Sequence, residues 1–457
     1  MEQHDPTLTE QDRSISGIKE EQHDMSLTEQ HWSTGEIKEE QQDRSTSEIK
    51  EEQWHNREEM DIAPDPLRFM PARTPGPTFD TMKSWSPLSL FQLFFSASVI
   101  QKIVDNTNAN AQFPYNFSFP REKMSRARFE AIMWSLHLSD PDEDEENENK
   151  RISGGHDMLF KIKPLYSEPV KACKANFQPS QNISIDERMA ARKAPVSVKP
   201  YLKGKSTKWG YKLFVLVDSS TGYTWNFFVD TGKRQSSTTT TNGLSYSYVM
   251  DLLPLQTLGT GYRLYIDNLY TRTTVFTDLY KKKIGCCGMT STSCIGFPQT
   301  QINDLAKKAE KGDIRWIRRG ELLFVNWMDT KKVTMCSTIH KAYSNQTIRR
   351  NVKEAGVWTN KLIPAPDSIF DYNRNMGGLN MSDYKVFFFY FLDIAVVNSY
   401  ILHKELLKHR QDPNQEEPLS HKAFREQLIQ EMLDFAEGSA DPLPTCNTKN
   451  NLHASLL

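Results

Sequence analysis

Short apolar stretches, several of them alternating with polar residues, recur between positions 183 and 340, and most end at turn-forming residues. Ile183-Ser184-Ile185 runs into Asp186, and Leu264-Tyr265-Ile266 runs into Asp267. Both patterns predict half-buried strands that finish on a carboxylate. Lys212 to Asp218 predicts a buried strand, Ser219-Ser220-Thr221-Gly222 a turn, and Tyr223 to Val229 its antiparallel return. Helical patterns cover 244–253 and 273–282, and further short strands are expected at 284–288 and 333–338. The order strand, hairpin, helix, strand, helix, strand predicts a mixed α/β sheet with a hairpin edge.

Before the sheet the pattern turns helical. Ser86 followed by Pro87 marks a helix start. Leu90, Leu93, Phe94, Val99 and Ile103 continue on roughly one face. Helical stretches follow at 126–138 and 160–177. Seven acidic residues between Asp140 and Glu148 read as a solvated loop. The longest apolar stretch, Phe387 to Leu402, is broken by Asp393, Asn398 and Ser399. It predicts a buried helix and no membrane span. A last helix is expected at 420–437.

Charge changes the picture at the N-terminus. Residues 1–60 hold 17 acidic and 6 basic residues, which leaves 41 acidic and 50 basic in the rest of the chain. An acidic tail masks a basic body, the electrostatic footprint of a polyanion binder. Ile18-Lys19-Glu20-Glu21, Ile37-Lys38-Glu39-Glu40 and Ile49-Lys50-Glu51-Glu52 repeat within the tail. With a mean hydropathy of −0.61 for the whole chain, such a segment is expected to be disordered. Each unit matches an aliphatic-Lys-x-Glu pattern that resembles an attachment site for a ubiquitin-like modifier, at Lys19, Lys38 and Lys50. The chain divides by this reading into a disordered acidic tail at 1–62, a Pro-rich linker at 63–82, a helical domain at 83–180, the α/β domain at 181–410, and a C-terminal helix and tail at 411–457.

Several classes are excluded. The six cysteines show no paired spacing, so a zinc module is unsupported and a reducing compartment fits. The first residues carry no apolar leader. There is no Gly-x-Ser-x-Gly elbow. Leu258-Gly259-Thr260-Gly261 lacks phosphate-loop spacing and reads as a turn into the Asp267 strand.

What remains is carboxylate and basic chemistry. Two buried strand ends bearing Asp186 and Asp267 would form a metal site if side by side, because an unpaired buried carboxylate is costly. The alternative is a pair of strand-end caps. Arg188, Arg192, Lys193, Lys199, Lys203, Lys205, Lys208 and Lys212 follow Asp186 with no acid among them. Tyr201, Trp209 and Tyr211 are interleaved, which suits phosphates and sugars; a solvated basic loop is the alternative. A second, weaker basic run spans Lys307 to Arg319. Asn380 and Asp383 follow a glycine pair and are three apart, so they share a helical face. They would supply further oxygens for a hard cation such as Mg²⁺, or Asn380 simply caps the helix.

These stretches resemble the piggyBac-type transposase family. Phe69-Met70-Pro71-Ala72-Arg73-Thr74-Pro75-Gly76-Pro77 is similar to a motif near the start of its conserved region. Ile185 to Met189 with Lys208 to Lys212, and Tyr265 to Thr271, resemble its first two catalytic blocks. Met376 to Asp383 with Leu392 to Tyr400 resembles its third. The similarity runs in order from about 69 to 408. It implies an RNase H-like mixed sheet flanked by helices, with an N-terminal helical segment. It also implies three aspartates holding two Mg²⁺, and cut-and-paste transposition at TTAA sites. Asp186 and Asp267 match the first two catalytic positions, and Asp383 is the remaining acid of the third block.

Departures from the pattern shape the functional expectation. The third catalytic position is Asn380. The segments between Asp383 and Phe387 and between Gln101 and Arg126 are shorter than in the family, and its Cys-rich C-terminal module has no counterpart. The expected protein is a nuclear, domesticated descendant that binds double-stranded DNA as a homodimer, with impaired or lost transposase activity. The alternatives are an active Mg²⁺-dependent strand-cleaving enzyme using Asp186, Asp267 and Asp383, and an interaction protein acting through its acidic tail.

Overall fold

The computed structural model describes residues 51–110, 139–151, 155–157, 159–160, 163–191, 210–230, 244–354, 357–376, 387–410 and 417–438. The chain forms two compact units, each drawn from separate stretches. The first comprises Met1–Ala72, Ser180–Ser220 and Phe228–Tyr384. The second comprises Arg73–Pro179, Thr221–Phe227 and Lys385–Leu457.

The first unit is built on a mixed sheet. Its spatial order is His55–Asn56, Ile314–Arg319, Leu322–Met328, Lys332–Ser337, Gly285–Met289, Arg263–Ile266, Asn182–Ala191, Gly210–Asp218; the order ends on Thr224–Val229, whose residues up to Phe227 are counted with the second unit. Arg263–Ile266 runs parallel to both Asn182–Ala191 and Gly285–Met289. Asn182–Ala191 and Gly210–Asp218 are antiparallel. Taken in chain order, the five strands from 182 to 289 occupy positions 3-2-1-4-5. This is the RNase H-like arrangement, extended on one side by an antiparallel meander.

Leu213, Val215, Leu216 and Leu264 are buried on the sheet, as their apolar pattern requires. Helix Thr273–Lys281 buries Val275, Phe276 and Leu279. Helix Asp367–Met376 packs Ile369 into a cluster with Tyr265, Cys287, Met335 and Trp327. Leu258-Gly259-Thr260-Gly261 is not the expected turn: Leu258 ends a short helix, Leu255–Leu258, and Gly259–Thr260 pairs antiparallel with Met70–Pro71. Gly261 has φ +79° and lies so close to Arg68 that a Cβ would meet the Arg68 carbonyl oxygen at 2.0 Å. Only glycine fits there.

The second unit is mainly helical, with the short strand pair Gly76–Pro77 and Phe177–Gln178 and the strand residues Thr224 to Phe227. Ser86 caps helix Pro87–Gln92 by accepting from Ser89 N, with Pro87 in the first turn, as the sequence predicts. Helix Phe387–Arg410 buries Phe391, Ile394, Ala395, Ile401, Leu402 and Leu406. Its polar interruptions are all satisfied. Asn398 exchanges two hydrogen bonds with the Thr224 backbone, at 3.0 and 2.9 Å. Ser399 donates to Ala395 O at 2.6 Å, and Asp393 accepts from Arg425 at 3.1 Å. Among the described residues no helix is long and apolar enough to cross a membrane.

Several expectations are corrected. The tail does not stay outside the fold up to residue 62, because Trp54 is buried and His55–Asn56 joins the sheet. The acidic stretch 140–148 is a helix, Pro141–Asn149, with Asp140 accepting from Asp142 N as cap. Asp142, Glu143 and Asp144 sit in its first turn, where the helix dipole favours them. The division at 410 gives way to a helical unit that joins Phe387–Arg410 and His421–Gly438 to helices before residue 180. The meander Ile314–Ser337, the hairpin Thr347–Glu354/Val357–Pro364 and helix Asp367–Met376 were not foreseen as units, although 333–338 was. The helical expectation at 126–138 lies outside the described residues.

Candidate functional site

Strand pairing sets the site. Ile185 is the register partner of Ile266 on two parallel strands. Asp267 directly follows the end of its strand, as expected, whereas Asp186 does not end its strand, which continues to Ala191 because it pairs on with Gly210–Asp218. Alternation puts Asn182, Ser184 and Asp186 on one face with Arg263, Tyr265 and Asp267. Helix Asp367–Met376 covers this face, since Tyr265, Cys287 and Ile369 share one cluster and Tyr372 and Met376 pack against it. The sheet order reverses between these two strands, the switch point at which α/β folds place ligands.

Neither aspartate resembles a plain buried cap. Asp218, at the end of its own strand, shows what a cap looks like here. Its carboxylate accepts from Ser180 N and Oγ at 2.6 Å each and from Ser220 N and Oγ at 3.0 and 2.5 Å. It is fully buried. Asp186 and Asp267 are each partly exposed. Asp267 Oδ1 accepts from Asn268 N at 2.6 Å, while its carbonyl takes Tyr270 N at 3.1 Å and Thr271 Oγ1 at 3.0 Å. The turn therefore fixes the Asp267 backbone.

Aromatic hydroxyls frame the pair on both faces. Burial pushes the Tyr372 phenol up, and the charges of Asp267 and Asp186 add to that rise. On the opposite face, Tyr270 donates to Glu187 Oε2 at 3.0 Å. Burial and the Glu187 carboxylate both raise the Tyr270 phenol. Sequence reasoning missed both tyrosines, although Tyr270 stands three residues after Asp267 and Glu187 directly follows Asp186.

Helix Asp367–Met376 is pinned by His340, whose Nε2 lies 3.0 Å from Asp371 Oδ2 and whose Nδ1 lies 2.7 Å from Ser337 Oγ. The His340 hydrogen bond holds the Asp371 carboxyl below its ordinary value. Ser337, His340 and Asp371 have the residue types of a hydrolase relay. Ser337 is only 1% exposed, however, so it meets no substrate. The trio is a structural tie.

The remaining sequence-derived residues distribute as follows. Arg188 and Lys212 lie on paired strands beyond Asp186, with Arg188 opposite Leu213 and Met189 opposite Lys212. Arg192, Lys193, Lys199, Lys203, Lys205 and Lys208 lie outside the described residues, as do Asn380 and Asp383. Members of the second basic run serve the sheet edge, where Arg318 binds Asp61 and Arg319 binds Glu52. Among the described residues no group of three or more His, Cys, Asp or Glu side chains forms a metal-holding cluster. Asp186 and Asp267 fit a divalent cation as hard oxygen donors but supply only part of a six-oxygen set.

Comparison with known proteins gives the arrangement its relatives. The pattern of the family described as Transposase IS4 matches residues 110–400. The human PiggyBac transposable element-derived protein 2 is 25% identical over 413 residues, covering 75% of this chain and 66% of that protein. The human PiggyBac transposable element-derived protein 5 is 21% identical over 342 residues, covering 69% of this chain and 61% of that protein. The chain thus spans about two thirds of the length of these relatives, or less. The fold matches the piggyBac transposase in its synaptic complex with hairpin DNA, with a TM-score of 0.64 at 19% identity, covering 82% of this chain and 86% of that one.

Proposed function

This chain belongs to the piggyBac-type family of DDE transposases, and from that premise we propose that it is a transposase-derived DNA-binding protein whose strand-cleavage chemistry is impaired. One observation carries the reading: Asp186 and Asp267 directly follow the register partners Ile185 and Ile266 at the switch point, while the third position of the motif is Asn380. The first two ligands of a catalytic centre are kept and the third has lost its charge.

Asp186 and Asp267 would hold a divalent metal, Mg²⁺ above all, with Asp383 as the remaining acid. A metal pair in such a centre activates a nucleophile and stabilises a leaving oxygen on phosphorus. Asn380 keeps an oxygen but not the charge that neutralises the cation, so affinity falls. The residues of this chain that bind DNA are then the basic run Arg188, Arg192, Lys193, Lys199, Lys203, Lys205, Lys208 and Lys212, which begins beside Asp186 and neutralises phosphates. The strand pair carrying Arg188 and Lys212 extends past the Asp267 strand, which supports this reading for those two residues. Double-stranded DNA as ligand, a nuclear location and a homodimer belong to the same reading.

An active enzyme using Asp186, Asp267 and Asp383 is the competing reading, favoured by the placement of the first two acids directly after the register partners Ile185 and Ile266. Strand cleavage of TTAA-flanked DNA with Mg²⁺ or Mn²⁺, comparing the wild type with Asp186→Ala, separates the two. Equal background from both proteins supports the impaired reading. Cleavage by the wild type that Asp186→Ala abolishes overturns it.

A further inference from the structure

Residues 52–61 behave as a docked ligand of the first unit. Only two of them pair with the edge strand, His55 with Trp316 and Asn56 with Arg315. Anchor side chains do the rest. Trp54 is 2% exposed, with Nε1 donating to Thr300 O and its backbone N to Ile302 O, both at 3.0 Å. The Phe297 ring lies 5.9 Å from it. His55 stacks on Trp316 at 4.6 Å.

Two arginines clamp the ends. Arg318 Nε and Nη2 donate to the two oxygens of Asp61 at 2.5 and 2.7 Å, and Ala342 N donates to Asp61 Oδ2 at 2.7 Å. Arg319 Nε and Nη2 donate to the two oxygens of Glu52 at 2.5 and 2.6 Å. Bidentate pairs of this kind fix geometry as well as charge. Arg318 Nη1 is buried with no hydrogen-bond partner among the described residues. The docked segment is followed by Ala63-Pro64-Asp65-Pro66, where Asp65 and Pro66 are exposed, and Met60 and Ile62 are exposed at 87% and 76%.

An open sheet edge invites an added strand. We propose that the outer edge Ile314–Arg319, with the loop at 297–302 and Ala342, is a peptide-binding site, and that residues 52–61 are its intramolecular ligand. The partner it fits is an extended acidic segment with a tryptophan, a carboxylate two residues before it and another seven residues after. A second copy of this chain carries such a segment. The short Pro-containing tether holds the resident segment at an effective concentration on the order of millimolar, which keeps the site closed to weak competitors.

The test uses a fluorescein-labelled peptide of residues 50–63 and the full chain. The wild-type chain is expected to bind it weakly, because the resident segment competes. Full-length Trp54→Ala/Asp61→Ala empties the site and is expected to bind the peptide at least tenfold more tightly. The same peptide carrying Trp54→Ala is expected to lose at least tenfold. A folded double variant, with an unchanged circular dichroism spectrum, that binds the peptide no better than wild type overturns the proposal.

If the double variant unfolds, a protease site placed after Asp65 in the otherwise unaltered chain gives a second measure. After cleavage, the N-terminal fragment is expected to exchange with excess labelled peptide while the body stays folded. A fragment that never exchanges, or a body that unfolds as it leaves, makes the segment a permanent strand and sinks the idea. Neither measurement depends on whether the chain binds DNA.

Discussion

Tyr270 donates its phenolic hydrogen to Glu187 Oε2 at 3.0 Å, tying the residue after the first site aspartate to the turn after the second. Glu187 is only 9% exposed, so its carboxylate relies on such donors. Tyr270→Phe keeps the ring and its edge-on packing against Phe214 but removes the hydroxyl. It is expected to destabilise the protein by about 1–3 kcal/mol, the cost of taking a donor from a buried acceptor. Thermal unfolding checks this, and a loss well under that range would mean the bond contributes little.

Asn380→Asp restores the missing charge at the third position. Metal affinity is expected to rise roughly tenfold, the scale on which changes around a metal site act. Isothermal titration with Mg²⁺ measures it, with Asp186→Ala as the control that should bind least. An unchanged affinity would place residue 380 away from Asp186 and Asp267.

The basic run gives a prediction about salt. Lys205→Ala with Lys208→Ala is expected to lower the slope of log affinity for duplex DNA against log salt by about 2, since each phosphate left without its lysine reduces it by about 0.9. Binding titrations at several salt concentrations read the slope. An unchanged slope would assign these lysines to a solvated loop.

Asp371 predicts a pH effect. Its folded carboxyl sits below the ordinary 3.8 because His340 donates to it. The associated stability is present above the unfolded value and is lost as pH falls through the folded one. Asp371→Asn is therefore expected to flatten the fall in thermal stability below about pH 4. Melting curves across that range decide the matter, and an equally steep acid limb in the variant counts against the His340–Asp371 tie.

Glu52 has two roles in conflict. It completes the third tail unit, Ile49-Lys50-Glu51-Glu52, and it is also clamped by Arg319. If a ubiquitin-like modifier attaches at Lys19, Lys38 and Lys50, docking hides the acid of the last unit. Arg319→Ala is expected to raise modification at Lys50 relative to Lys19 and Lys38. Site-resolved mass spectrometry from cells reads the ratio; no change in it would separate docking from modification.

The strands at 212–218 and 224–229, the helix at 273–281 and the two carboxylates were legible because local periodicity and turn residues dictate them. The meander from Ile314 to Ser337 was only partly legible. Leu322–Met328 is a nearly continuous apolar run whose period is ambiguous, and Arg318 and Arg319 read as part of a basic run when they are in fact ion-paired at a sheet edge. The helix at 141–149 was hidden by its charge, since counting acids misses the cap that starts it. Trp54 was overlooked because its surroundings are those of a tail, and its pocket is formed by residues about 250 positions away.

The family resemblance marks Asn380 as standing where an acid is expected; the sequence by itself determined that Asp186 and Asp267 end two apolar stretches and that a basic run follows the first. These are properties of neighbouring residues, set by side-chain chemistry and backbone preference. Only the tertiary structure decided that the two aspartates follow register-paired isoleucines, that Tyr372 and Tyr270 flank them on opposite faces, and that residues 52–61 close the far edge of the sheet. Each of those depends on which strands pair, and pairing is a long-range choice made by the burial of whole faces rather than by any local pattern.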